Sequence, residues 1–154
     1  MNRTRRTALM AAAVMAATGL TTVTATAPAA ASHREPRPVT KWIKPVEAHE
    51  PTWVKVYWKT GKKICDAAVT VEGTDVGIVY PSNTDTYTSF LNDAELKPGR
   101  PDYTAFRVRA DRNRTTVVRL AATLTYNTCG DEAVEKSRTY RLRLPVLRNY
   151  DYDN

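Results

Sequence analysis

The sequence predicts an all-β protein, an antiparallel β-sandwich of six or seven short strands across residues 52–147. Three observations carry this. Apolar and polar residues alternate with period two rather than 3.6. Turn residues interrupt the alternation every ten residues or so. No long segment shows helical periodicity, and no internal repeat is visible. A small closed barrel is the alternative architecture.

The elements follow in order. Residues 53–59 place Val54, Val56 and Trp58 on one face, and Gly61-Lys62 turns the chain. Residues 64–72 form the next strand, with Cys65, Ala67, Val69 and Val71 expected on a shared face. Gly73 to Asp75 reads as a tight hairpin turn into a strand at 76–80, which Pro81-Ser82-Asn83 ends. Residues 86–91 are rich in β-formers and read as a short or edge strand. After a turn with Pro98, Gly99 and Pro101, residues 103–110 alternate, with Phe106, Val108 and Ala110 in and Arg107 and Arg109 out. Residues 115–126 direct Val118, Leu120, Ala122 and Leu124 one way. Residues 138–146 close the set, with Leu142 and Leu144 in and Arg141 and Arg143 out.

Upstream, residues 1–31 read as an export signal. Arg3, Arg5 and Arg6 precede an uncharged run from Ala8 to Leu20, and Ala29-Ala30-Ala31 supplies the small-residue cleavage pattern, so cleavage is expected before Ser32. The apolar run is shorter than the ~20 residues that span a bilayer. Arg5-Arg6 also fits a twin-arginine signal, but Ala8-Leu9 stands where an aromatic residue usually follows, which favours general secretion. No cysteine lies near the cut, so the product is expected to be secreted and released, with no membrane span after processing. Residues 32–51 hold Pro36, Pro38, Pro45 and Pro51 among mixed charges and read as an extended Pro-rich linker, with Trp42-Ile43 its one apolar knot and a candidate to dock on the domain. Residues 148–154 read as a flexible acidic tail with two tyrosines.

The leader holds three of the 23 Lys+Arg and none of the 16 Asp+Glu, so the remaining 123 residues carry a net charge of +4. That is mildly basic and does not amount to a nucleic-acid footprint; specific nucleic-acid binding is not expected. One domain fits the length. Two cysteines in an exported chain most simply bond to each other. A bond between Cys65 and Cys129 would stabilise the fold by about 4 kcal/mol on the chain-entropy model. It also constrains topology. Cys65 begins one strand and Cys129 follows the end of another, so these two strands must run antiparallel with an even number of full crossings between them. Of the three candidates between, residues 86–91 are expected not to be a full crossing.

The turn Leu96-Lys97-Pro98-Gly99, followed by Asp102-Tyr103-Thr104-Ala105-Phe106-Arg107-Val108 and then by the strand from Thr116-Val117-Val118-Arg119-Leu120 to Tyr126, resembles Ig-like modules found beside bacterial secreted glycosidases and proteases. The resemblance covers about residues 67–126 and implies an Ig-like sandwich with an accessory or adhesive role. It carries over no catalytic residue. The antibody-type pattern does not fit, because Tyr126 lies three residues before Cys129 rather than two and no tryptophan falls between the cysteines. The Ala-rich leader resembles those of high-GC Gram-positive, actinobacterial-type bacteria.

Two groups of residues are candidates for binding. Trp53, Lys55, Tyr57 and Lys59 lie opposite Val54, Val56 and Trp58; rings with interleaved lysines stack on sugars or bases and neutralise anions. The competing expectation is that the linker covers them through Trp42, or that Trp53 and Tyr57 build a second core layer. Arg119, Arg141 and Arg143 take outward positions on neighbouring strands, and Arg107 and Arg109 repeat the pattern. They suit an anionic polymer such as teichoic acid or extracellular DNA, an anionic cell-surface polymer being the expected partner; a merely solvated, edge-protecting face is the competing expectation.

Catalysis finds little support. There is no G-x-S-x-G, H-E-x-x-H or glycine-rich phosphate loop. Both histidines, His33 and His49, lie in the linker, so no metal or other cofactor is expected. Asp93/Glu95 and Asp131/Glu132 fall in loops as surface charge, and Asp151-x-Asp153 is too sparse for calcium. The expected function is therefore a small secreted non-enzymatic module that binds a cell-wall or extracellular polymer, a glycan or a secreted protein. The alternative is a secreted inhibitor presenting residues 92–102 or 130–137 to a hydrolase.

Overall fold

A computed structural model of the chain describes residues 34–92 and 94–149. The expected leader and cleavage site, His33, Asp93, Asp151 and Asp153 lie outside the described residues. Among the described residues there is no helix, and so none long and apolar enough to cross a membrane.

Eight strands follow in order: β1 Arg37–Pro38, β2 Val46–Glu47, β3 Thr52–Lys59, β4 Ile64–Gly73, β5 Val76–Val79, β6 Asp102–Ala110, β7 Thr116–Thr128 and β8 Glu135–Leu147. They form two four-stranded sheets. Sheet A has the order β1-β3-β6-β5 and sheet B the order β2-β8-β7-β4. All pairings are antiparallel except β2 with β8, which is parallel. Alternation explains the layers. Val54, Val56, Trp58, Phe106 and Val108 from sheet A meet Val69, Val71, Leu120, Leu124, Leu142 and Leu144 from sheet B in one core. Trp58 is fully buried, and its indole N–H donates to Thr104 Oγ1 at 3.0 Å, so the one polar atom of the ring has a partner. Tyr140 packs edge-on against Trp58 with ring centroids 5.5 Å apart, and its hydroxyl donates to the Pro36 carbonyl.

Cys65 and Cys129 form a disulfide with Cα atoms 5.4 Å apart. β4 and β7 run antiparallel with β5 and β6 between them, the even number that the bond demands. Residues 86–91 form no strand. Thr88 makes a single bridge to Val69, and its hydroxyl reaches across to the Ala105 carbonyl at 2.8 Å. That segment ties the edge of β4 to the edge of β6 and drops Phe90 into the core.

Three local expectations are corrected. First, residues 32–51 are no linker over their described part, and docking extends well beyond Ile43. Backbone bonds from Val39 to Tyr57, Ile43 to Arg143 and Ala48 to Leu147 lay the segment across the edges of both sheets, and Ile43, Val46 and Ala48 are buried. None of its prolines stands where an N–H is required, so they are tolerated at an edge. Second, Gly73 to Asp75 is not a hairpin turn. β4 and β5 belong to different sheets, and the turn is a corner between them. Asp75 takes a left-handed φ of 56°, and a Cβ at Gly73 would meet Leu120 Cδ2 at 2.5 Å, so any larger residue must displace that buried side chain for the corner to close over β7. Third, Cys65 does not share the face of Ala67. A bulge between Cys65 and Ala68, with Asp66 at φ 51°, inserts one residue and switches the parity, so that Ile64 points inward instead.

Candidate binding surface

β3 presents Trp53, Lys55, Tyr57 and Lys59 on the outer face of sheet A, as alternation requires. Trp53 is 53% and Tyr57 46% exposed, so neither is part of a second core layer. Trp42 does not cover them. It sits at the edge of sheet B, bridged to Arg143, whose guanidinium carbon lies 5.2 Å from its ring centroid.

Register brings β6 into the same surface. Trp53 pairs with Arg107, Lys55 with Ala105, and Tyr57 with Tyr103. The Tyr57 and Tyr103 rings sit 5.3 Å apart at 52°, and Lys55 Nζ lies 4.4 Å from the Tyr103 centroid. The result is a strip of three aromatic rings with cations set among them. Ala105 leaves a shallow step beneath Lys55. Exposed Val39 and Val79 lie toward the two edges, and Leu91 stands beside Tyr103 through a backbone bond. Lys55, Lys59 and Arg107 have no ion-pair partner among the described residues; Arg109 faces Asp111 at 3.4 Å. Tyr103 is not singled out by the sequence and joins the surface through its register opposite Tyr57. Its odd-numbered position, shared with Arg107 and Arg109, was the available signal.

Arg119, Arg141 and Arg143 are also outward, but on the opposite side of the molecule. They lie on sheet B, where Arg119 pairs directly with Arg143 and Ala121 with Arg141. The expected binding residues thus divide between two outer faces. Toward the far end of β7 and β8 the sheet B face turns to hydroxyls: Thr123 and Thr139 share a hydrogen bond of 2.9 Å, and Thr125 donates to Ser137 at 3.5 Å.

The titratable groups elsewhere are in structural settings. Hydrogen bonding from Lys63 at 2.8 Å, then from Lys97, holds the Glu95 carboxyl below its ordinary value of 4.5. Burial comes first in pushing the Tyr126 and Tyr140 phenols above 10.0, with Arg138 opposing it in both. His49 bonds through Nε2 to Asn113 Oδ1 at 3.0 Å and faces Asp111 through Nδ1 at 3.6 Å. Among the described residues no group of three His, Cys, Asp or Glu side chains is placed to hold a metal ion.

No protein-family model matches the chain, and no curated protein matches it. Among solved structures it is similar to one described as "AvmM Catalyzes Macrocyclization in Alchivemycin A Biosynthesis". The TM-score is 0.38 with 8% identity, over 71% of this chain and 86% of that one. A likeness at that level carries no argument about activity.

Proposed function

We propose that this protein is a secreted, non-enzymatic β-sandwich module that binds an acidic glycan of a cell surface or extracellular matrix through the outer face of sheet A. The observation that supports this most is the strip of Trp53, Tyr57 and Tyr103 with Lys55 and Arg107 set among the rings. Flat rings receive the C–H faces of sugars, and nearby cations meet carboxylates. The arrangement is rigid, because all five residues stand on two paired central strands whose opposite faces are locked in the core. A disulfide suits an oxidising compartment. The sequence resemblance to Ig-like accessory modules points the same way, as an expectation about role.

The test is retention on acidic and neutral polysaccharides, measured for the native protein and for Trp53→Ala/Tyr57→Ala. Acidic glycans are expected to retain the native protein, with retention weakened by salt and by the double substitution. Unchanged retention of the double variant would reject this face as the site. Retention on protein extracts but on no glycan would favour a protein partner instead.

A further inference from the structure

The second face carries a different chemistry. Arg119 on β7 and Arg143 on β8 are direct cross-strand partners, so two like charges stand side by side on the sheet. Like charges placed so are unfavourable. Arg141 lies two residues along β8 from Arg143, and Lys41 joins the group through the bond from the Arg143 N–H to its carbonyl at 2.7 Å. These four cations line one depression. Among the described residues none of the four has a carboxylate within ion-pair distance. The Trp42 ring against Arg143 holds that guanidinium at the edge of the cluster.

The surface is hollowed as well as charged. Arg119 and Arg141 line both of two adjoining depressions. One, of about 540 Å³, is completed by Glu72, Gly73, Thr74, Leu120 and Ala121. The other, of about 260 Å³, is completed by Lys41, Leu142 and Arg143. Ala121, paired with Arg141, keeps the floor of the larger one low. Glu72 is the one acid at the rim. From this cluster the hydroxyl row of Thr123, Thr139, Thr125 and Ser137 continues along the same face. From Arg119 to Thr125 the track runs roughly 20 Å at the usual rise of a strand.

From this arrangement we infer that the outer face of sheet B binds a linear phosphate polymer, its phosphates seated between Arg119, Arg141 and Arg143. Arginine forks donate bidentately to phosphate oxygens, and a dianionic or repeated monoanionic ligand relieves the repulsion within the Arg119–Arg143 pair. The hydroxyl row donates to the oxygens of the chain beyond the arginines. Among the described residues Trp42 is the one ring beside the cluster, and Arg143 takes one of its sides, so the face is far richer in cations than in stacking surface, which favours a phosphate backbone over a nucleic acid. This inference does not rest on the glycan reading of sheet A.

The experiment uses long-chain inorganic polyphosphate, with polygalacturonate of equal charge as the carboxylate control and single-stranded DNA as the base-bearing one. Polyphosphate is expected to bind at least tenfold tighter than either. Arg119→Gln/Arg141→Gln should lower polyphosphate affinity tenfold or more and flatten its salt dependence. Arg119→Lys/Arg141→Lys keeps the charge but removes the fork, and should recover only part of the loss. Trp53→Ala/Tyr57→Ala should leave polyphosphate binding unchanged, which keeps this result separate from the test of sheet A. Thermal melts establish that each variant is folded; without polymer the glutamine variant should melt at or above the native temperature at low salt. Lysine substitution equal to the native protein, equal affinity for polygalacturonate, or tighter binding of DNA would each overturn the inference.

Discussion

The two outer faces are built by the same rule, and both carry cations, yet they set those cations in different surroundings. On sheet A a cation stands over a ring, Lys55 above Tyr103, and Trp53 pairs across to Arg107. On sheet B a cation stands beside a cation, Arg119 beside Arg143, with small and hydroxyl-bearing residues around them. Period-two alternation decides only that a residue is wet. What it does there depends on which strand lies opposite and in which register. A ring beneath a cation adds a stacking surface to the charge, whereas the paired arginines carry a mutual repulsion that an anion from solution would relieve.

The largest effect concerns the disulfide, which joins the start of β4 to the end of β7 and so staples sheet B alone. Cys65→Ser/Cys129→Ser is expected to destabilise the fold by about 4 kcal/mol. Amide hydrogen exchange should then rise in β4 and β7 before it rises in β3 and β6. Uniform loosening would show that the two sheets are not separable in this way.

Gly73→Ala comes next. Its methyl group would meet Leu120 Cδ2 at 2.5 Å beneath the sheet B hollow. A loss of about 1–3 kcal/mol in denaturant unfolding is expected, the usual range for forcing extra volume into packed structure. A neutral substitution would mean that the corner has room to shift. For Trp53→Ala/Tyr57→Ala the expectation is divided. Stability should stay within about 0.5 kcal/mol, because both rings are solvent-facing. Affinity for acidic glycan should fall tenfold or more. A large stability loss would make the sheet A strip part of the scaffold rather than a binding surface.

On the other face, Arg119→Gln is expected to raise stability by about 0.2–1 kcal/mol at low salt, the size of a relieved cross-strand repulsion, and the gain should vanish in high salt. Smallest are the pH effects. A phenol whose folded value is raised contributes in full below the ordinary value of 10.0 and loses that contribution as pH rises through the folded value. Melting temperature should therefore fall more steeply above pH 10 in the native protein than in Tyr140→Phe. The Glu95 carboxyl has the opposite sign, since its value is lowered. Its contribution is present above pH 4.5 and lost below it, and Glu95→Gln should flatten the acid limb of the melting profile slightly.

Much of this architecture was legible before any coordinates. Six strands and the disulfide parity follow from alternation and two cysteine positions, because a buried face enforces period two and a bond enforces proximity. The missing pieces share a cause. The bulge at Asp66 adds one residue, which no periodicity count can see from one strand alone. The start of β8, Glu135–Thr139, is exposed on both faces and so carries no apolar alternation to detect. The edge segment of residues 34–51 looked like a linker because its prolines dominate its composition, yet three apolar residues, Ile43, Val46 and Ala48, suffice to dock it. For the binding surface, each residue's wet side was readable. Which residues stand together was not, since Tyr57 with Tyr103 and Arg119 with Arg143 are set by register between strands.

The most direct test of two chemically separate faces is a pair of amide-resolved NMR titrations of the native protein, one with an acidic oligosaccharide and one with polyphosphate. The first should move signals of Trp53, Lys55, Tyr57, Tyr103 and Arg107, and the second those of Arg119, Ala121, Arg141 and Arg143, with no shared set. Both ligands shifting the same residues, or either one shifting signals on both sheets alike, would contradict the account.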